Sequence, residues 1–348
     1  VNIYISSTHR IKMSTNTRAT AHVLPTPNVL KREFPPPEKS PVPAWRQTVV
    51  DILNGRDPRL LLIVGPCSVH DPIAVVDYAR RLAVVQSKCP HIFFVMRTYF
   101  EKPRTRKGWS GFMHDPNLDG TNDMATGVAA ARKLLLTVTA LGVPTATETL
   151  SLLAPQYIDD LISFACIGAR TTESQPHREL ASGLSVPVGF KNSTTGDISV
   201  AVNSIVSASE GKVFMGVNAD GRVAAIQTAG NPHCYLVLRG STQGPNYDEE
   251  ITAHMKGVLV REKVNQGIIV DASHGNSGKK WPKQIEVLKY IVRHCLENVR
   301  GIMMESFICD GNQSLLSKPL RYGLSVTDEC IGWEKSLDIF KFIEKLLK

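Results

Sequence analysis

The stretch Leu61-Leu62-Ile63-Val64-Gly65-Pro66-Cys67-Ser68-Val69-His70-Asp71-Pro72 decides the fold. Its first four residues are apolar and too few for a helix, so they read as a buried strand. Gly65 and Pro66 stop that strand. A lone cysteine sits on the first turn after it, and Asp71 caps the helix that follows. Parallel α/β folds bind their ligands at the carboxyl ends of the strands. Cys67 therefore marks a rim at which other chemistry should arrive.

Working outward, the same strand–helix rhythm recurs. Strands start near residues 61, 92, 144, 164, 187, 235, 268 and 301, each followed by a helical pattern. Eight such units in about 250 residues indicate a closed (β/α)8 TIM barrel. A doubly wound open sheet is disfavoured, because no Gly-x-Gly-x-x-Gly follows a strand. Between the fifth and sixth barrel strands, Val213 to Val217 and Arg222 to Ile226 flank Asn218-Ala219-Asp220-Gly221 and predict an inserted β-hairpin over 212–227. Residues 1–44 are polar and Pro-rich, with Phe34-Pro35-Pro36-Pro37 near the end. They predict an extended, partly disordered N-terminal arm, with a short strand within Ala21 to Leu30. The catalytic barrel is expected over 45–348. It begins with a helix from Trp45 to Leu53 that Asn54-Gly55 closes.

The totals exclude several classes. No apolar run approaches the roughly 18 residues of a membrane span, so no membrane partner is expected. The first 20 residues lack a signal-peptide core and carry Arg10, Lys12 and Arg18, which argues against export. The chain begins with Val1, which leaves an alternative start codon or Met13 as the candidate start. Seven cysteines without close pairing form neither a disulfide framework nor a zinc ribbon, and fit a reducing cytoplasm. The net charge of +8 is spread along the chain rather than gathered in a block, and no stacking aromatics accompany it, so no nucleic acid is expected. A basic pocket for small phosphorylated anions is the sharper reading of that charge.

The strand ends deliver two kinds of residue. Arg97, Lys102, Arg104, Arg170, Lys191 and Arg239 are basic. Six cations at one rim repel unless anions fill the space, and arginine forks match phosphate and carboxylate oxygens. Thr105 adds a hydroxyl donor beside Arg104, and Glu148 ends the third strand. The second kind is Cys67, His274, Glu305 and Asp328: a thiolate, an imidazole and two carboxylates, a donor set for one divalent transition ion. His70 reads as a polar or supporting residue. Trp109 reads as packing for the loop after the second strand. His177 either faces the site or orders its own loop.

These residues carry a resemblance. The chain resembles the type I, feedback-regulated class of 3-deoxy-D-arabino-heptulosonate 7-phosphate synthases over about residues 45 to 346. The matching stretches are Gly65 to Asp71, Glu101-Lys102-Pro103-Arg104-Thr105, Gly168-Ala169-Arg170-Thr171-Thr172-Glu173-Ser174 and Pro187-Val188-Gly189-Phe190-Lys191-Asn192. Leu238-Arg239-Gly240, Ser273-His274-Gly275-Asn276, Met304-Glu305-Ser306, Gly311-Asn312-Gln313-Ser314 and Ser325-Val326-Thr327-Asp328 complete the set, with Cys330-Ile331-Gly332-Trp333 after them.

The resemblance implies condensation of phosphoenolpyruvate with D-erythrose 4-phosphate. It implies metal ligation by Cys67, His274, Glu305 and Asp328, with manganese, iron, cobalt and zinc all suited. It places phosphoenolpyruvate at Arg97, Lys102, Arg170, Lys191 and Arg239, and the aldose phosphate near Arg104, Thr105 and Asp328. Lys102 is the implied proton donor. An aromatic amino acid inhibitor, phenylalanine or tyrosine, is implied near the hairpin and Gly183-Leu184-Ser185, together with a homodimer or homotetramer. Ser241 stands where many members have glycine, and the hairpin turn lacks a common lysine. The rival readings are the sibling synthase that uses arabinose 5-phosphate and a non-catalytic metabolite-sensing barrel.

Overall fold

The computed structural model of the chain describes residue 20, residues 22–104 and residues 106–348. Its strands are β1 (Leu60–Gly65), β2 (Ile92–Arg97), β3 (Thr145–Glu148), β4 (Phe164–Ile167), β5 (Val188–Lys191), β6 (Val213–Val217), β7 (Val223–Gln227), β8 (Cys234–Leu238), β9 (Ile268–Asp271) and β10 (Val299–Glu305). Eight of them close a parallel barrel in the order β1-β2-β3-β4-β5-β8-β9-β10, and β10 pairs back to β1. The expected (β/α)8 architecture is therefore present. β6 and β7 form the expected hairpin, an antiparallel pair inserted between the fifth and sixth barrel strands.

The helices are α1 (Pro27–Glu33), α2 (Val42–Leu53), α3 (Pro72–Gln86), α4 (Met124–Ala140), α5 (Pro155–Ile158), α6 (Gln175–Gly183), α7 (Ser199–Ser209), α8 (Glu249–Arg261), α9 (His274–Ser277), α10 (Trp281–His294) and α11 (Trp333–Leu347). None is long and apolar enough to cross a membrane. Asp71 caps α3 as expected, its carboxylate accepting from Ile73 N and Ala74 N.

Strand alternation divides the apolar residues into two cores. Leu61, Ile63, Val95, Ala146, Phe164, Cys166, Tyr235, Val237, Ile269 and Met303 fill the barrel interior. Leu60, Leu62, Val64 and their counterparts face the helical ring. Successive strand side chains point to opposite faces, so the inward set continues by steps of two into the rim. Counting on from Val95, Ala146, Val237, Ile269 and Met303 reaches Arg97, Glu148, Arg239, Asp271 and Glu305. At the opposite end, α2 supplies Val49, Ile52 and Leu53 to the interior cluster and stoppers the barrel.

Two expectations need correction. The stretch within Ala21 to Leu30 holds no strand among the described residues. Instead Thr26 accepts from Val29 N and Pro27 starts a helix at its first position, so cap chemistry outweighs weak strand propensity there. The helical pattern expected after the third barrel strand breaks into α5 and a 3-10 turn, Asp159–Leu161. The backbone carbonyls of Asp159 and Ile162 there accept from Arg46 instead of continuing a helix. Residues 1–19 and 21 of the arm lie outside the described residues.

Candidate active site and metal centre

Gly65 is the pivot between strand and site. Its φ is +149°, and a Cβ there would meet the Arg97 backbone at 2.9 Å, so only glycine lets the β1 end pass this close to β2. The chain then turns Cys67 into the rim, fully buried. Donor atoms of Cys67, Glu305 and Asp328 lie within 4.8 Å of one another. A thiol with two carboxylates at that separation fits a divalent transition ion, which would take the sulfur as thiolate.

His274 stands beside this group. Its Nδ1 is 2.9 Å from Asp271 Oδ2 and 2.7 Å from Ser273 Oγ, while Nε2 is 3.9 Å from Glu305 Oε1. A hydrogen bond at Nδ1 leaves the Nε2 lone pair aimed at the cluster, the usual supporting geometry of a ligating histidine. The structure thus gathers three of the four sequence-derived ligands tightly and sets the fourth one carboxylate away.

Cations surround the anions. Lys102 donates to Cys67 Sγ at 3.1 Å. Arg97, only 1% exposed, pairs with Glu305 at 3.1 Å, and its guanidinium lies 3.9 Å from the Tyr99 ring centroid. Lys191 bridges Glu148 at 3.4 Å and Asp271 at 3.2 Å. These pairings set the protonation states. Burial pushes the Cys67 thiol up to about 11; Glu305 and Asp328 add to this, and Lys102 and Arg97 oppose it. Burial alone would lower Lys102, but Cys67, Glu305, Glu148 and Asp328 outweigh it and hold the ammonium above its ordinary value. Burial alone would raise Glu148, yet Lys191 and Lys102 keep it an ionised carboxylate below its ordinary value. Asp271 behaves likewise under His274 and Lys191.

Above the cluster opens a cavity of about 260 Å³. Arg97, Lys102, Arg104, Arg170, Lys191 and Arg239 all line it, as do His274 and Asp328. Every basic residue singled out from the sequence therefore reaches one space. Arg104 is braced by a 2.7 Å bond to the Trp109 carbonyl, and Trp109 in turn donates to Asp115 O, so Trp109 packs its loop as expected. Thr105 lies outside the described residues. His177 orders its loop, bonding Ser174 and the Leu150 carbonyl. His70 is buried edge-on against Phe307.

Sequence reasoning assigned no role to Glu148, Asp271, Lys107 or Lys279. The count by twos from the interior residues of β3 and β9 reaches the first two. Lys107 and Lys279 lie on loops, where no periodicity points.

A second, larger cavity of about 870 Å³ lies away from this chemistry, between α5, α6 and the hairpin. Leu152, Gln156, Leu180, Ser185, Phe214 and Ile226 are among its walls.

Comparison with known proteins agrees with this geometry. Residues 31–341 match the DAHP synthetase I family. The chain is 44% identical to the Tyr-sensitive phospho-2-dehydro-3-deoxyheptonate aldolase of Salmonella typhimurium, over 93% of each chain. It is 43% identical to the Phe-sensitive enzyme of Escherichia coli, over 92% of this chain and 94% of the other. The structure of phospho-2-dehydro-3-deoxyheptonate aldolase from Francisella tularensis superposes with a TM-score of 0.93 at 40% identity, covering 96% of this chain and 98% of that one. The chain belongs to the DAHP synthetase I family.

Proposed function

We propose that this protein condenses phosphoenolpyruvate with D-erythrose 4-phosphate and water, releasing 3-deoxy-D-arabino-heptulosonate 7-phosphate and phosphate, the first step of the shikimate pathway. The observation that carries the reading is a cluster of Cys67, Glu305 and Asp328 donors, the last of which reaches a cavity ringed by cations. When bound there, a divalent ion supplies a Lewis acid for the aldehyde oxygen of the sugar. Cys67, Glu305 and Asp328 would hold it, with His274 as the fourth protein ligand.

The residues of the chain do the rest. Arg97, Arg170, Lys191 and Arg239 hold the phosphate and carboxylate of phosphoenolpyruvate, which is positioning and electrostatic work. Arg104 and Thr105 take the aldose phosphate. The methylene carbon of phosphoenolpyruvate bonds to the aldehyde carbon, and Lys102, kept charged by its anionic neighbours, gives the proton the new hydroxyl needs. Water adds to the second carbon and Glu148 accepts its proton. The bond from that carbon to the phosphate oxygen then breaks, leaving the ketone and free phosphate. An assay offering erythrose 4-phosphate and arabinose 5-phosphate side by side tests this. Turnover with the four-carbon sugar alone is expected, and preference for the pentose phosphate would overturn the assignment.

The larger cavity supports feedback inhibition. Its volume of about 870 Å³ admits an aromatic amino acid, with Leu180 and Phe214 for a ring and Gln156 and Ser185 for polar ends. Phenylalanine or tyrosine is the proposed inhibitor. Homo-oligomerisation is supported by the hairpin's outer face, where Val213, Met215 and Val223 are 70–85% exposed. Seven free thiols support a cytoplasmic location.

A further inference from the structure

The short helix α9 ends in a turn built at some cost. His274 and Lys279 both hold left-handed backbone, with φ of +50° and +63°, and the Lys279 N–H bonds the His274 carbonyl at 2.9 Å. Side chains rarely adopt this region, and such strain concentrates where function fixes the geometry. Packing enforces it: a Cβ on Gly275 would meet Ser241 N at 2.4 Å, so the turn is pressed against the loop after β8. One tight loop therefore carries both a metal-site histidine and a lysine into the same cavity.

Two adjacent lysines leave this turn and meet two adjacent acids. Lys280 pairs with Glu329 at 2.8 Å, and the Trp281 N–H also donates to Glu329. That contact ties the two loops together outside the cavity. Lys279 does something different. Its Nζ lies 3.3 Å from Asp328 Oδ1 and 3.2 Å from Oδ2, so one ammonium covers both oxygens of a residue in the metal donor set. The Lys279 side chain is 54% exposed and stands on the cavity wall with Arg104 and Lys107. A flexible, half-exposed ammonium is a movable point charge that can serve either of two anions.

We propose that Lys279 is a positioning residue shared between the metal centre and the sugar phosphate: it competes with the divalent ion for the Asp328 carboxylate, and once released it binds the phosphate of the aldose substrate. This rests on the function proposed above. It explains why a lysine is held beside a metal ligand, where a permanent positive charge otherwise only weakens ion binding. It also links ion binding to sugar binding, because ligation of Asp328 sets free the charge the sugar needs.

The test uses the full-length protein with Lys279→Met and Lys279→Arg. Both keep a Cβ-bearing residue at the left-handed position, and melting temperature reports any misfolding. Equilibrium dialysis against Mn2+ is expected to show Lys279→Met binding about fivefold more tightly, the size of a partly exposed ion pair. Its KM for erythrose 4-phosphate should rise about tenfold, the loss of one charge-assisted contact, while the KM for phosphoenolpyruvate stays within twofold. Lys279→Arg should restore the sugar KM. Unchanged or weaker Mn2+ binding in a folded Lys279→Met protein, or an unchanged sugar KM, would overturn the proposal. Failure of the wild-type chain itself to bind Mn2+ or turn over would instead sink the reading of the site.

Discussion

Lys102 Nζ sits 3.1 Å from Cys67 Sγ, so the loop after the second barrel strand lays its cation on the thiol that follows the first. The contact joins the two halves of the site. Cys67 belongs to the metal donors, and Lys102 lines the anion cavity above them.

The first prediction follows from that contact. Lys102→Met should retain its divalent ion, since the ligands are untouched, and lose a proton donor worth 10²- to 10⁴-fold in turnover. Metal content by elemental analysis beside kcat checks it. Loss of the ion would show that Lys102 holds the centre together rather than serving the chemistry.

Metal binding should depend on pH. The Cys67 thiol, raised to about 11, is protonated at neutral pH, and an ion that takes the thiolate must release that proton. Affinity therefore rises with pH, by about tenfold per unit between pH 6 and 8. Dialysis against Mn2+ across that range measures the slope. A flat profile would remove Cys67 from the ligand set.

A buried side chain helps to fasten the N-terminal segment. Arg132, with no exposed surface, donates to the carbonyls of Phe34 and Tyr157 and forks onto Asp160 at 2.7 and 2.8 Å. Arg132→Ala strands those acceptors and should cost about 3 kcal/mol by urea unfolding. A loss below about 1 kcal/mol would mean the contact forms without stabilising the fold.

Feedback inhibition should be separable from catalysis. Phe214 lines the large cavity from the hairpin and touches none of the reaction machinery. Phe214→Ala should leave uninhibited turnover unchanged and raise the inhibitory concentration of phenylalanine or tyrosine about tenfold, the worth of burying part of an aromatic ring. Equal inhibition of variant and wild type would place the effector elsewhere.

Much of this was legible before the structure. Short apolar runs recurring in eight strand–helix units revealed the barrel, because a strand buried on both faces reads as such a run, as Leu61 to Val64 does. Arg97, Lys191, Arg239 and Glu305 were legible because they end such runs, and the other cations and donors because they lie in the polar loops beyond them. Glu148 and Asp271 share that position, yet an acid at a strand end has many bland explanations until its lysine partner is seen. Lys279 was not legible: its role depends on a left-handed turn and on Asp328, 49 residues away in sequence. α1 was misread because its polar, Pro-rich surroundings hid a Thr-Pro helix start.

The central claim is that Cys67, Glu305 and Asp328 hold a divalent ion that the condensation requires. The direct measurement is phosphate release from phosphoenolpyruvate and erythrose 4-phosphate by chelator-treated protein titrated with Mn2+. The account predicts negligible release without the ion and full recovery at one bound ion per chain. Undiminished turnover in excess chelator, with no ion bound, would contradict it.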